Sequence, residues 1–136
     1  VVTPSDQGLP KTCRLVRPGD FARVYAVRRS AAAGPLVVYA AAQEPPGSTR
    51  IGLSVSRRIG NAVVRNRWKR RLREAFRRVR ARLPTGHDFI VVVRSGLPEP
   101  GAAGLERTAA SLETLAARAA ARPAGEPSRS RRRPGS

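Results

Sequence analysis

Ser56-Arg57-Arg58-Ile59-Gly60-Asn61-Ala62-Val63-Val64-Arg65-Asn66-Arg67-Trp68-Lys69-Arg70-Arg71-Leu72-Arg73-Glu74-Ala75-Phe76 is the stretch on which the reading of this chain turns. Twelve Lys or Arg and one acid, Glu74, lie between Arg57 and Arg82, in a chain whose formal net charge is +18. Wound at about 100° per residue, residues 64–83 sort into two faces. Val64, Trp68, Leu72, Ala75, Phe76, Val79 and Leu83 share an apolar stripe. Asn66, Lys69, Arg70, Arg73, Arg77 and Arg80 form a continuous polar and cationic face, extended by Arg67, Arg71 and Arg78. Such a helix docks on a core with one side and offers the other to a polyanion.

Like charges at i, i+3 and i+4 repel and weaken an isolated helix. Only Glu74 compensates them, so an anionic partner explains the pattern better than a solvated surface does. A basic amphipathic helix can also lie on a membrane or a heparin-like polymer. Here the rest of the chain has few long apolar segments, and the stripe is needed for a core. Nucleic acid is therefore the favoured partner. Arginine forks bind phosphate bidentately and stack on bases, and Asn66 adds an amide for a base edge or a ribose hydroxyl.

Outward from this helix, Arg50–Ser56 alternates Ile51, Leu53 and Val55 with Gly52, Ser54 and Ser56, the period of a strand with one buried face. Leu36–Ala42 begins as a strand with Val37, Val38 and Tyr39. Pro18-Gly19-Asp20 opens a short helix running to about Val27, with Asp20 as N-cap or first-turn acid. Phe21, Val24 and Tyr25 share one of its faces. Pro84-Thr85-Gly86 stops the basic helix, and Phe89–Val93 is a continuous apolar run, hence a central strand. Leu105, Ala109, Leu112 and Leu115 mark a last amphipathic helix to about Ala121. The order is helix, strands, long helix, strand, helix, which predicts a small α+β domain.

The segment resembles the signature of the bacterial ribonuclease P protein subunit, in which an Arg-Asn-Arg helix is entered through a Gly-Asn-Ala-Val stretch. Here these are Arg65-Asn66-Arg67 and Gly60-Asn61-Ala62-Val63, with Gly52-Leu53-Ser54-Val55-Ser56 before them. Leu9-Pro10-Lys11, Asp20-Phe21 with Tyr25, Leu36-Val37-Val38-Tyr39 and Gly86-His87-Asp88-Phe89-Ile90-Val91-Val92-Val93-Arg94 match in the same order. The resemblance covers roughly residues 9 to 120. It implies about four strands packed with three helices, a ribosomal-protein-like two-layer sandwich. The additional strand would lie near residues 29 to 35 or in a split of the 36–42 run. A left-handed βαβ crossover around the basic helix is also implied, against the usual right-handed rule. Residues 1–8 read as a flexible N-terminal extension, 9–121 as the domain and 122–136 as a disordered basic tail.

The resemblance further implies a ribozyme whose RNA removes the 5′ leader of precursor tRNA, with Mg²⁺ held mainly by RNA. The protein would assist substrate binding and ease the Mg²⁺ requirement, one protein per catalytic RNA. Arg57, Arg58, Asn61, Arg65, Asn66, Arg67, Lys69, Arg70 and Arg73 would face ribonuclease P RNA. A cleft between the first helix and the sheet would hold the single-stranded leader, with Phe21, Tyr25 and Tyr39 as its aromatic residues. Aromatic faces stack on unpaired bases with little sequence preference. From spacing alone Phe21 and Tyr25 read as core, and Tyr39 fits a strand residue equally well. Ser54 and Ser56 could line the cleft or form an outward strand face. Phe76, Phe89 and Trp68 read as core, with stacking on RNA the alternative for Trp68.

The residues themselves argue against a protein-borne nuclease. The nine acids, Asp6, Asp20, Glu44, Glu74, Asp88, Glu99, Glu106, Glu113 and Glu126, are scattered, whereas two-metal cleavage uses clustered carboxylates. His87 is the single histidine and Cys13 the single cysteine, which excludes a His-pair mechanism, an internal disulfide and a Cys-based zinc cluster. His87 reads as a strand-edge residue. No catalytic residue is assigned, and a protein-held metal site stays unassigned. No stretch reads as a signal peptide or spanning helix, so no membrane role and a cytoplasmic location are expected. A ribosomal protein of related fold and a DNA-binding architectural protein remain as rivals. The tail Ser128-Arg129-Ser130-Arg131-Arg132-Arg133 lies outside the resemblance and would add non-specific RNA affinity.

Overall fold

The alternating pattern of Arg50–Ser56 and the apolar run at Phe89–Val93 become adjacent parallel strands in the computed structural model, which describes residues 13–123. The elements in chain order are α1 (Pro18–Val27), β1 (Arg29–Ala33), β2 (Leu36–Ala42), β3 (Arg50–Val55), α2 (Ala62–Val79), β4 (His87–Val93) and α3 (Gly101–Ala121). The sheet order is β1-β2-β4-β3. β1 and β2 form an antiparallel hairpin, β2 pairs antiparallel with β4, and β4 pairs parallel with β3. The β3–α2–β4 crossover thus joins neighbouring strands across the basic helix. The additional strand expected near residues 29–35 is β1, a strand of its own before β2. The N-terminal extension, Leu9-Pro10-Lys11 and the arginine-rich tail lie outside the described residues.

Strand alternation sends two sets of side chains to opposite faces of the sheet. On one face Leu36, Val38, Ala40, Ile51, Phe89, Val91 and Val93 pack against Trp68, Leu72, Ala75, Phe76 and Val79 of α2 and against Ala109, Leu112, Leu115, Ala116 and Ala119 of α3. This is the docking on a core that the apolar stripe predicts. Each fully buried Phe, Leu or Val contributes about 1.5–3 kcal/mol relative to exposure. On the other face Ala41 and Ile90 meet Leu15 and Val24, with Phe21, Tyr25, Val27, Tyr39 and Val92 packed around them. Helix α1 therefore adds a smaller apolar layer on the side of the sheet away from α2.

The ends of the helices follow from local chemistry. Asn61 caps α2: its side-chain oxygen accepts from the Val64 N–H at 3.0 Å. Gly60 lets Val64 come close, since a Cβ there would lie 2.9 Å from the Val64 Cβ. The α-helix ends at Val79, not at residue 83, and the chain continues as a 3₁₀ turn over Arg80–Arg82. Pro84 disfavours the helical conformation in the residue before it, and Leu83 is extended. Asp20 lies in the first turn of α1, whose N-cap position is Arg17 and whose first helical residue is Pro18.

Candidate nucleic-acid interface

Helix α2 divides its cations by what they face. Toward α3, Arg78 pairs with Glu106 at 3.7 Å, and Arg71 donates to the Thr108 hydroxyl at 3.3 Å. In the following turn Arg82 pairs with Glu113 at 3.2 Å. Away from α3 the surroundings change. Among the described residues no carboxylate pairs with Arg65, Arg67, Lys69, Arg70, Arg73 or Arg77. Asn66, Arg67, Arg70 and Arg77 are exposed, and Arg65, Lys69 and Arg73 are half-buried. Arg65 is steadied by donation to the Gly60 carbonyl at 3.2 Å. Arg57 and Arg58 project from the exposed 3₁₀ turn Arg57–Ile59 between β3 and α2.

Lys69 and Arg73 reach the edge strand, where with Arg14, Leu15, Val16, Ile51 and Leu53 they line a groove. The sequence-predicted cationic residues therefore belong to α2 and the turn feeding it. Asn61 differs from the others, because its carboxamide oxygen is engaged as the helix cap. Unscreened like charges held this close are a standing attraction for polyphosphate.

The aromatic residues assemble on the opposite face. Tyr25 of α1 meets Tyr39 of β2 edge to face, with ring centroids 4.9 Å apart, and Phe21 stands 6.5 Å from Tyr25. All three are half-buried, so each packs one side of its ring and leaves part at the surface. Gly52 makes room for them: a Cβ there would lie 2.6 Å from the Phe21 Cζ. Ser54, on the same face of β3, hydrogen-bonds with Tyr25. Burial pushes the Tyr25 hydroxyl above its ordinary pKa, the Ser54 bond opposes this, and neighbouring Tyr39 adds to the rise. Trp68 is not part of any surface: it is 2% exposed, and its indole N–H donates to the Gly96 carbonyl at 2.9 Å.

Sequence reasoning missed a buried polar centre beside this aromatic face. Asp88 is fully buried on β4. It accepts from Arg50 Nε at 2.9 Å, Arg50 Nη2 at 2.8 Å, Gln43 Nε2 at 2.8 Å and Arg23 of α1. Burial works to raise its pKa, but the Arg50 and Gln43 hydrogen bonds and the charges of Arg50 and Arg23 outweigh it and hold the carboxyl below the ordinary range. A lone acid next to an apolar strand run was the available signal. Three further carboxylates pair with arginines, Glu99 with Arg107, Glu106 with Arg78 and Glu113 with Arg82. Among the described residues no three of His, Cys, Asp and Glu come together as a metal-ligating group. His87 leans on Phe89, and its Nδ1 lies 2.8 Å from the Thr85 carbonyl.

The structure thus carries a cationic helix on one side of a four-stranded sheet and an aromatic face on the other. The family model described as Ribonuclease P matches residues 9–120. The chain belongs to the ribonuclease P protein family. A ribonuclease P protein component of Brevibacillus brevis is 44% identical over 84 residues, spanning 62% of this chain and 67% of that one. One from Bacillus cereus is 38% identical over 91 residues, 67% of this chain and 79% of the relative.

The solved structure of the Staphylococcus aureus RNase P protein matches with a TM-score of 0.62 at 31% identity, covering 77% of this chain and 93% of that one. The RNase P protein from Thermotoga maritima matches with a TM-score of 0.55 at 33% identity, covering 60% and 73%. Membership ties the chain to a tRNA-processing ribonucleoprotein and displaces the ribosomal and DNA-binding alternatives. Among the described residues no helix is long and apolar enough to cross a membrane.

Proposed function

We propose that this ribonuclease P protein holds two RNAs on two faces of its sheet. The catalytic RNA lies along α2 and the Arg57–Ile59 turn, against Arg57, Arg58, Arg65, Asn66, Arg67, Lys69, Arg70 and Arg73. Asn61 contributes mainly by fixing the start of that helix. The single-stranded 5′ leader of precursor tRNA lies against Phe21, Tyr25, Tyr39 and Ser54. The observation that carries this reading is the division of the cations of α2 and the turn after it: those facing α3, Arg71, Arg78 and Arg82, meet Thr108, Glu106 and Glu113, while those on the other side of α2 lack acidic partners among the described residues.

In this reading the protein breaks no bond. It draws the two polyanions together by reducing phosphate repulsion, and lowers the Mg²⁺ concentration they need. The Mg²⁺ ions are held mainly by RNA, and among the described residues no three of His, Cys, Asp and Glu come together to hold one. The aromatic rings supply leader affinity of about 1–3 kcal/mol per stacked base, with the sequence tolerance that many precursors require. One protein acts with one catalytic RNA.

The test is 5′-end cleavage of a labelled precursor tRNA by a bacterial ribonuclease P RNA at low Mg²⁺, with and without this protein. Stimulation that disappears in the Arg65→Ala/Arg67→Ala variant is expected. Tight binding to structured RNA without any stimulation would contradict the proposal.

A further inference from the structure

Helix α1 is ten residues long, and its N-cap side chain makes no capping hydrogen bond. Helices this short are marginal by themselves, so its position depends on docking. Phe21, Val24 and Tyr25 bury an apolar edge, but apolar contact is non-directional. A directional side-chain link ties α1 to the sheet, Arg23 with Asp88. It is anchored deeply. Arg50 grips Asp88 through both Nε and Nη2, and Gln43 fills a further acceptor position. Gln43 also donates to the Ser48 carbonyl at 2.7 Å and accepts from Gly47 N–H at 2.6 Å, so the β2–β3 loop belongs to the same network.

Asp88 itself is 0% exposed and cannot touch a ligand, whereas the Arg23 side chain is 41% exposed. A buried ion network is weak evidence for stability, because well-packed apolar residues often serve as well. What charge-assisted bonds add is direction: a guanidinium aimed at a carboxylate fixes distance and angle. Here the fixed quantity is the placement of α1 over β2 and β4, and hence the spacing between Tyr25 and Tyr39.

We infer that Asp88 is a positioning residue for the precursor: through Arg23 it locks α1 at the separation from the sheet at which the aromatic face receives a single-stranded leader. The inference rests on the leader reading of that face. Pre-organisation of this kind raises affinity by removing ordering costs at the moment of binding.

The experiment compares holoenzymes reconstituted with a bacterial ribonuclease P RNA and unmodified, Arg23→Gln, Asp88→Asn or doubly substituted protein. Dissociation constants are measured for one precursor with a long leader and for the same precursor with its leader trimmed to a single nucleotide. Each single substitution should weaken long-leader binding by about tenfold, and the double no further, as for residues acting through one contact. Binding of the trimmed precursor and of the catalytic RNA should not change.

Loss in Arg23→Gln with binding kept or improved in Asp88→Asn would overturn the inference, because Arg23 would then touch the leader directly. Equal losses on both precursors would overturn it in favour of a stability role alone. A length effect retained in all variants would also overturn it. Equal affinity of the unmodified holoenzyme for the two precursors would remove the leader reading, and this inference with it. Should Asp88→Asn fail to fold, hydrogen exchange in the Arg23→Gln protein decides. Faster exchange confined to α1 amides is expected, and unchanged α1 exchange would overturn the inference.

Discussion

The Tyr25 ring stands edge-on to the Tyr39 ring at 84°, with centroids 4.9 Å apart, linking the first helix to the second strand. Such a pair adds about 0.5–1.5 kcal/mol beyond the area it buries. Both rings keep part of their surface accessible, so packing and stacking on a base are compatible roles for the same side chains. Substituting Tyr39 by Ala should weaken binding of a long-leader precursor by roughly 1–3 kcal/mol, the value of one stacked base. Affinity for the catalytic RNA should stay the same. Parallel titrations with the two RNAs check this; equal losses on both would assign Tyr39 a purely structural part.

The cationic side of α2 makes a prediction about salt. Each arginine–phosphate pairing removed should reduce the slope of log K against log[salt] by about 0.7–0.9. Replacing Arg67 and Arg70, both exposed, by Gln should flatten the slope for ribonuclease P RNA by about two such increments. Replacing Arg78 and Arg82, which pair with Glu106 and Glu113, should flatten it less. Filter binding across a salt series measures both.

Trp68 separates core from surface. Its indole N–H reaches Gly96, and removing that bond in Trp68→Phe should cost about 0.5–1.5 kcal/mol of folding stability. RNA affinity at a temperature where the variant is folded should match the unmodified protein. Urea unfolding and RNA titration together check the separation; a drop in RNA affinity in a fully folded variant would count against burial as its whole role.

Asp88 gives an acid-side prediction with a definite sign. The folded carboxyl has a lowered pKa, so the unfolded chain takes up a proton more readily. The stabilisation is complete above the ordinary carboxylate pKa, about 4, and is lost as pH falls through the lower folded value. Arg23, Arg50 and Gln43 face the carboxyl, and Asp20 acts on Arg50. Asp88→Asn should therefore remove part of the acid-side fall in a plot of urea midpoint against pH. Parallel curves for the two proteins over that range would contradict it.

How much of the fold and site is legible in the sequence depends on the range of the interaction. The α2 stripe is readable because Trp68, Leu72, Ala75, Phe76 and Val79 recur at helical spacing within one segment, and all are buried. β3 and β4 are readable from the residue pattern within each strand, alternating in one and continuously apolar in the other. β1 is harder: Arg29–Ala33 is mostly alanine, a weak strand former held by its pairing with β2 and by α3 packed against it. Phe21, Tyr25 and Tyr39 can be named, but spacing does not say that residues of a helix and a distant strand will meet. The Asp88 network is invisible for a stronger reason. Arg23, Gln43, Arg50 and Asp88 lie on four different segments, and only the fold brings them to one carboxylate.

Occupation of opposite faces of the sheet by the two RNAs is open to photocrosslinking, with thiouridine placed in the leader of a precursor tRNA bound to the holoenzyme. Crosslinked peptides are then mapped by mass spectrometry. Leader crosslinks are expected in Pro18–Val27, Leu36–Ala42 and Arg50–Val55, on the α1 side. Leader crosslinks concentrated in Ala62–Val79 would contradict the two-face arrangement.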